Sequence, residues 1–280
     1  MDELRNRYYL GYFEQCCNSA MQHQSLADGD VSTLSIRAKA CLYPLLLSEY
    51  EGLIDSRDVG KSIVGIFSHL KKTTYPPDRK VFLDNLLKMS SMGDLDSKCM
   101  IASIFEAEAD YSTAFKLCAA ESIELLTLEI FIMIKLGYIA AAEALVNKLD
   151  DEEILGKLTT AWIRLATGSY KEAYLTFGDI QGICNDEDTK EYSSVTILNG
   201  KAIANMQRRM WPEALEDLEK AYVQNPTDEN TLANLVCCHR NLLNEPKALS
   251  YYNILLESHD DHMLVLKTKQ LEDTFDNFRI

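Results

Sequence analysis

A short motif that ends in alanine recurs along this chain. It reads GSYKEA at 168–173, MWPEA at 210–214 and NEPKA at 244–248, and weaker copies end at Ala114 and Ala142. The successive terminal alanines are 28, 31, 41 and 34 residues apart. Self-similarity at a period of this length indicates units that stack on one another, because one unit alone cannot bury its apolar face. The repeat therefore limits the possible folds more than any other feature of the sequence.

Each copy lies within a pattern that is typical of two helices joined by a tight turn. The stretch 195–228 contains every part of this pattern, since Trp211 fills the turn and Pro226 ends the second helix. Its small and apolar positions follow helical spacing; they are Ala202, Ala214, Leu218 and Ala221. An alanine at the crossing point lets the two helix axes approach closely. The spacings scatter around the period of about 34 residues that defines a tetratricopeptide unit.

We therefore predict an all-α chain, an α-α superhelix (solenoid) of tetratricopeptide-like helix pairs. Only 12 of the 280 residues are Gly and 6 are Pro, which leaves little material for irregular loops. We expect one solenoid over 1–280, with divergent repeats at 1–94, clearer repeats at 95–260 and a capping helix at 261–280. In the divergent part, GYFEQC (11–16) and SEYEGL (48–53) are possible copies, and TYPPD (74–78) predicts a helix break.

The composition argues against several classes of function. A net charge of −15 repels nucleic acid and anionic membrane surfaces, so we expect no nucleic-acid partner. The sequence has no GxxxxGK[ST], GxGxxG or GxSxG motif, and we predict no catalytic residue, no cofactor and no enzyme activity. The 8 cysteines include no CxxC pair, and we expect them to be reduced and mostly buried.

Two clusters of reactive side chains have a plainer interpretation. Cys237, Cys238 and His239 are consecutive, and on a helix they point about 100° apart, so they are poorly arranged to bind one metal ion. The acidic runs at 106–110 and 150–153 are typical of solvated helix ends and lack the spacing of a calcium loop. We therefore predict no metal site.

Neither the N-terminal segment nor the most apolar stretch of the chain favours membrane insertion. The N-terminal segment lacks the basic start and apolar run of a signal peptide, so we expect the chain to stay in the cytosol. The most apolar stretch, 125–134, contains Glu129 and is far shorter than the roughly 20 residues that span a bilayer. Any membrane association would then be peripheral and depend on partners.

The first helices of the repeats supply the candidate binding residues. In a tetratricopeptide superhelix these helices line the concave groove, and the ninth position of each unit points into it. Units that start at 123, 154, 195 and 229 have Phe131, Trp162, Ile203 and Cys237 at this position. The twelfth positions add Ile134, Leu165, Met206 and Arg240, and Asn199 lies in the same groove. An apolar stripe of this length suits a protein segment, but a register error of one or two positions would place these residues in ordinary core.

Several stretches are more particular than the repeat consensus. They are YYLG (8–11), LTTAWIRLATG (158–168), LNGKA (198–202), ENTLANLV (229–236) and DNF (276–278). Together they resemble the epsilon-subunit family of coatomer, the coat of Golgi transport vesicles. The resemblance implies a non-catalytic COPI coat subunit that binds the C-terminal region of the alpha subunit, meets other coatomer subunits indirectly, and lies on the cytosolic face of Golgi membranes and vesicles.

A second interpretation is a general tetratricopeptide adaptor, for example a cochaperone that binds a peptide carboxylate. Such a clamp requires converging Lys, Arg and Asn side chains. The groove offers only Asn199, Arg240 and Asn241 against a mostly apolar lining. The sequence therefore favours the coat subunit, which would act by binding in Golgi-to-ER and intra-Golgi transport.

Overall fold

A computed structural model describes residues 2–10, 12, 16, 59–72, 76–91, 95–118, 122–149, 153–184 and 194–278. These residues form helices and connecting turns, and they include no β-strand. The helices are α1 (Asp2–Tyr9), α2 (Val59–Lys72), α3 (Pro76–Met89), α4 (Leu95–Ala107), α5 (Tyr111–Leu117), α6 (Ile123–Lys135), α7 (Ile139–Val146), α8 (Ile154–Thr167), α9 (Tyr170–Cys184), α10 (Val195–Gln207), α11 (Trp211–Gln224), α12 (Glu229–Asn241), α13 (Glu245–Ser258) and α14 (Met263–Asn277). The possible motif copy at 48–53, and most of the one at 11–16, lie outside the described residues.

The α-carbon contacts divide the chain into two compact units, Met1–Thr159 and Thr160–Ile280. Each unit has its own buried side chains and is described separately. The predicted single solenoid over 1–280, with its subdivision at 94 and 260, stays a prediction.

The first unit packs α2 to α6 around one apolar core. Its fully buried side chains include Ile63, Leu86 and Ile101 from three different helices. The predicted break at TYPPD is confirmed, because α2 ends at Lys72 and α3 begins at Pro76. Proline suits the first turn of a helix, where its missing N–H leaves no hydrogen bond unmade.

In the second unit, successive helices pack against one another: α10 with α11, α11 with α12, and α12 with α13. The interface of the first three of these helices is built from small and branched side chains; the fully buried ones are Ala202, Ala214, Leu218, Leu235 and Cys238. Small residues at these contacts allow the helices to approach closely. The pattern predicted for 195–228 is confirmed, and α11 ends at Gln224, two residues before Pro226.

The terminal alanine of the motif is buried in every copy. Four of the five alanines are 0% exposed and the fifth, Ala248, is 1% exposed. Each lies in the first turn of a second helix, where it meets the preceding first helix. The recurrence of alanine is therefore a packing requirement of the helix pair.

The turn inside each pair also has one geometry. Its central residue adopts a left-handed backbone with φ between 58° and 87° in five pairs; these residues are Ala109, Gly137, Gly168, Arg209 and Leu243. In four of the pairs the following N–H donates to a carbonyl five residues back at 2.9 Å, as Asp110 does to Phe105. This bond is the mark of a Schellman turn, which satisfies the last carbonyls of the first helix. Two of the five residues are Gly, so the other three carry a strained conformation.

Candidate partner-binding surface

The first helices begin where the sequence places the repeat units. Helices α6, α8, α10 and α12 start at Ile123, Ile154, Val195 and Glu229. In three of them a side-chain oxygen of the preceding residue accepts a hydrogen bond from the N–H three residues on, as Ser194 does from Ile197 at 3.3 Å. This cap satisfies an otherwise unpaired donor and fixes the first residue of the helix.

Burial along these helices separates the core-facing side from the other side. The third residue is buried in all four, and Leu125, Ile197 and Thr231 are 0% exposed. The ninth residues, Phe131, Trp162, Ile203 and Cys237, are half-buried. Phe131 and Ile134 belong to the first unit, and the remaining candidates belong to the second. Within the second unit, the half-buried positions form a row at one register, with Leu165 and Met206 one turn further along.

Trp162 is anchored by an aromatic neighbour on the next helix. Its ring meets the Phe177 ring edge-on, with centroids 5.4 Å apart and planes at 79°. Phe177 is 0% exposed. Edge-to-face pairs of this kind contribute roughly 0.5–1.5 kcal/mol beyond area burial. The indole is therefore held in one orientation while part of it stays accessible.

A glycine explains how Phe177 comes to be fully enclosed. A Cβ at Gly200 would lie 2.4 Å from the Cζ atom of Phe177 and 2.6 Å from its Cε1 atom. Only a residue without a side chain lets α10 approach the ring so closely. The sequence alone indicated no role for Gly200, because an isolated Gly inside a helical pattern usually only lowers the stability of the helix.

Asn199 differs from the other predicted groove residues because its side chain is engaged within the protein. It is 5% exposed, and its Nδ2 atom donates to the Thr231 hydroxyl at 2.8 Å and to the Val195 carbonyl at 3.0 Å. Its Oδ1 atom accepts a hydrogen bond from Asn234 at 2.9 Å. Asn199 thus fixes α10 against α12 and is not free to bind a carboxylate.

The far end of the row carries a thiol and a positive charge. Burial raises the pKa of Cys237, and the nearby Arg240 opposes the shift. The thiol therefore stays protonated at neutral pH and acts as a small apolar surface. Arg240 is exposed, and Asn241 donates to the Cys237 carbonyl at 2.8 Å.

The Cys237–His239 run diverges in space, as expected for adjacent helix residues. The Cys238 thiol points to the Trp211 carbonyl at 3.4 Å, and burial raises its pKa to about 11. The His239 ring stacks on Tyr251 with centroids 5.5 Å apart, and neither ring nitrogen has a hydrogen-bond partner. Burial, reinforced by Lys247, lowers the His239 pKa. The imidazole is therefore neutral and serves as core.

A buried ion pair also escaped sequence analysis. Lys201 lies 3.3 Å from the carboxylate of Asp217, and their side chains are 13% and 7% exposed. The Lys201 ammonium also donates to Gln181 at 3.2 Å and lies 5.3 Å from the centre of the Tyr174 ring. Lys201 therefore links α10 to both α9 and α11, and its role is structural.

The described part of the chain has neither a membrane-spanning helix nor a cluster of metal-binding side chains. No helix there is long and apolar enough to cross a membrane. No group of three or more His, Cys, Asp or Glu side chains there is arranged to hold a metal ion. Five cysteines are free thiols, and four of them, Cys16, Cys99, Cys118 and Cys238, are buried, whereas Cys237 is half-buried.

Solved structures with the same fold confirm the predicted class, all-α with helix pairs of the tetratricopeptide superhelix type. The structure of the APC/C hetero-tetramer Cut9–Hcn1 has a TM-score of 0.59 and 12% identity, and the match covers 91% of this chain and 51% of that one. A tetratricopeptide repeat protein from Parabacteroides merdae has a TM-score of 0.55 and 14% identity, over 80% of this chain and 96% of that one. At such low identity these similarities concern the fold alone.

Sequence relatives are more specific. Coatomer subunit epsilon-2 of Arabidopsis thaliana is 30% identical over 288 aligned positions, covering 98% of this chain and 93% of the relative. Coatomer subunit epsilon-1 of Oryza sativa subsp. japonica is 28% identical, covering 98% and 94%. The family model for the coatomer epsilon subunit matches residues 2–280. This chain therefore belongs to the coatomer epsilon subunit family.

Proposed function

We propose that this protein is a structural subunit of the COPI coat that binds the C-terminal region of the coatomer alpha subunit. It stabilises that region within the coat and contacts the other coat subunits through it. On this proposal the protein is cytosolic and reaches Golgi membranes and COPI vesicles only as part of the coat, in Golgi-to-ER and intra-Golgi transport. Its action is binding and involves no chemical turnover.

The observation that carries the proposal is that, within each unit, apolar side chains occupy the same register of the first helices. A side chain that served only the core would be enclosed like the third-position residues, which are 0% exposed in three helices. The ninth-position residues keep part of their surface accessible instead. The proposed contacts are Phe131, Ile134, Trp162, Leu165, Ile203, Met206, Cys237 and Arg240, with Asn199 holding two helices in register behind them.

Pre-organisation supports binding of a protein segment by many modest contacts. The Trp162 ring is already held by Phe177, and Asn199 already links α10 to α12. Because these groups need little ordering when the partner arrives, more of the contact free energy appears as affinity. Large aromatic side chains are also frequent anchors of protein interfaces.

The adaptor interpretation lacks a comparable observation. A carboxylate clamp would use Asn199, whose amide atoms are occupied by Thr231, Val195 and Asn234. Arg240 and Asn241 remain on the surface, and two groups on one helix do not form the converging set that a carboxylate needs.

Binding to the purified C-terminal region of the alpha subunit tests the proposal. We expect a stable one-to-one complex with the wild-type chain and its loss in Ile203→Asp and Trp162→Asp. Ile203→Asp is the sharper variant, because replacing Trp162 also removes its packing against Phe177. Circular dichroism and thermal melting establish that each variant is folded.

Val223→Asp is the matched control, because Val223 is an aliphatic residue of α11 that is 77% exposed. It should bind like the wild type. If the wild-type chain fails to bind the alpha-subunit region, the proposal is wrong. If wild type binds and both first-helix variants bind equally well, the assignment of the contact surface is wrong.

A further inference from the structure

Helix α14 has a buried third residue, as the first helices do, although the sequence predicts only a capping helix there. It begins at Met263, after His262, whose ring nitrogen accepts a hydrogen bond from the Leu264 N–H at 3.1 Å. Its third residue, Val265, is 0% exposed and packs with Leu232 of α12 and Leu255 of α13. The third residues of α10 and α12 are buried in the same way. Helix α14 therefore occupies the place of another first helix in the second unit.

One side of α14 ends the stack of repeats. The eighth, tenth and eleventh residues of α12 are core residues, namely Val236, Cys238 and His239. The corresponding residues of α14 are Gln270, Glu272 and Asp273, and all three are exposed. Polar side chains at these positions suit a terminal helix that no further repeat covers.

Another side of α14 is apolar and open. Leu271 and Phe275 lie four residues apart and so share one face of the helix, and Phe278 follows three residues later as its C-cap residue. They are 67%, 73% and 85% exposed. Leu271 is the ninth residue of α14 and so continues the row of Trp162, Ile203 and Cys237 in the second unit. Large apolar residues grouped in this way mark an interaction surface.

We propose that this face of α14 is part of the docking surface, and that it binds an apolar stretch of the alpha-subunit region flanked by Lys or Arg. The inference rests on the proposed function and extends it by a further helix and by the chemistry of the partner. The occupant must cover two large exposed side chains, Leu271 and Phe275, that no helix of the described chain covers.

The charge around the face decides between possible occupants. The last two turns of α14, 271–277, carry Glu272, Asp273 and Asp276, whereas its lysines, Lys267 and Lys269, precede Leu271 by four and two residues. The carbonyl end of the helix adds a partial negative charge. A second copy of this chain would bring the same three carboxylates, and a net charge of −15, against the first. A basic flank on a different protein complements the surface, and the attraction should weaken with salt.

The test is calorimetric titration of the alpha-subunit region into the double variant Leu271→Ser/Phe275→Ser. We expect Kd to rise by about tenfold or more, because exposed side chains that become buried in an interface include its strongest contributors. The matched control is Val223→Ser/Leu249→Ser, which removes two aliphatic residues of the second helices that are 77% and 56% exposed. The control should bind within about twofold of wild type, because substitutions at exposed sites away from an interface have small effects.

A charge variant and light scattering complete the test. Glu272→Lys/Asp276→Lys should weaken binding and remove most of its salt dependence. The free wild-type chain should be a monomer. If Leu271→Ser/Phe275→Ser binds like wild type while Ile203→Asp does not, the α14 inference is wrong and the proposed function stands. If the wild-type chain does not bind the alpha-subunit region, both the proposed function and the α14 inference are wrong. If the free wild-type chain is a dimer that Leu271→Ser/Phe275→Ser dissociates, the face binds a second copy and the α14 inference is wrong.

Discussion

Replacement of Gly200 by alanine tests whether the close contact between α9 and α10 holds the second unit together. The added Cβ would lie 2.4, 2.6 and 2.7 Å from three carbon atoms of the Phe177 ring. Non-bonded carbon atoms are stable at about 3.5–4.0 Å, so the overlap exceeds about 1 Å. The ring has no route to solvent, because it is 0% exposed and packs edge-on against Trp162.

The expected change in stability is the difference of two effects. Alanine is favoured over glycine in a helix by about 1 kcal/mol. Overfilling a packed core usually costs about 1–3 kcal/mol, and an overlap this large belongs at the upper end. We therefore expect Gly200→Ala to lower the free energy of unfolding by about 2 kcal/mol.

Urea denaturation followed by circular dichroism measures this change, and tryptophan fluorescence reports the environments of Trp162 and Trp211 together. Gly178→Ala is the matched control, because Gly178 lies inside α9 and its Cβ would meet no atom within 4 Å. This control should raise stability by up to about 1 kcal/mol. In Gly200→Ala/Phe177→Leu the smaller side chain leaves space, so the loss should be smaller than the sum of the two single losses. A Gly200→Ala protein as stable as wild type would refute the packing argument.

Three further predictions concern the turn, the core and pH. Gly137→Ala should lower the free energy of unfolding by about 1 kcal/mol in urea titrations. Gly137 has φ 82°, and an added Cβ would meet no atom within 4 Å, so the loss comes from backbone strain and not from a steric clash. Ala214→Leu should lower the free energy of unfolding by about 2 kcal/mol or more and depress the thermal midpoint, since Ala214 is 0% exposed at a helix crossing. Burial and then Lys247 lower the His239 pKa, with Glu219 opposing, so wild-type stability should decline as pH falls below about 6.5, where the unfolded chain takes up the proton first. The pH dependence of urea midpoints between pH 7 and 5 should be flatter in His239→Phe, and an unchanged slope would contradict this account.

The fold was predictable from sequence because its determinants are local and repeated. The alanines at the helix crossings, the prolines next to helix ends and the starts of the first helices all follow from spacing, and Ile123, Ile154, Val195 and Glu229 are observed helix starts. The left-handed turns were harder to predict, since Gly137 and Gly168 signal them but Leu243 does not. A Schellman turn can impose that conformation on a leucine when the hydrogen bonds around it outweigh the local strain.

The candidate surface was less predictable because exposure depends on what packs against a helix from elsewhere. Asn199 has the register of a groove residue, yet Thr231 and Asn234, more than thirty positions away, occupy its amide. The sequence argued against His239 as a metal ligand but did not indicate its burial, which arises because Tyr251 of the next helix covers its ring. The Asn199 contacts form only when two repeats stack, and the His239 contact forms only when the two helices of one repeat pack together.

On the proposed role of α14, its contrast with α12 accounts for a helix that caps a stack and also binds a partner. Both begin at the same register, but the core-facing residues Val236 and His239 of α12 are replaced in α14 by Gln270 and Asp273. At the ninth residue the change is the opposite, because the half-buried Cys237 of α12 corresponds to the exposed, apolar Leu271 of α14. Because an α-helix presents its faces independently, stacking and binding depend on different residues of the same helix. Substitutions at the binding face should therefore reduce affinity while leaving the melting temperature unchanged, whereas substitutions at the stacking face should reduce both.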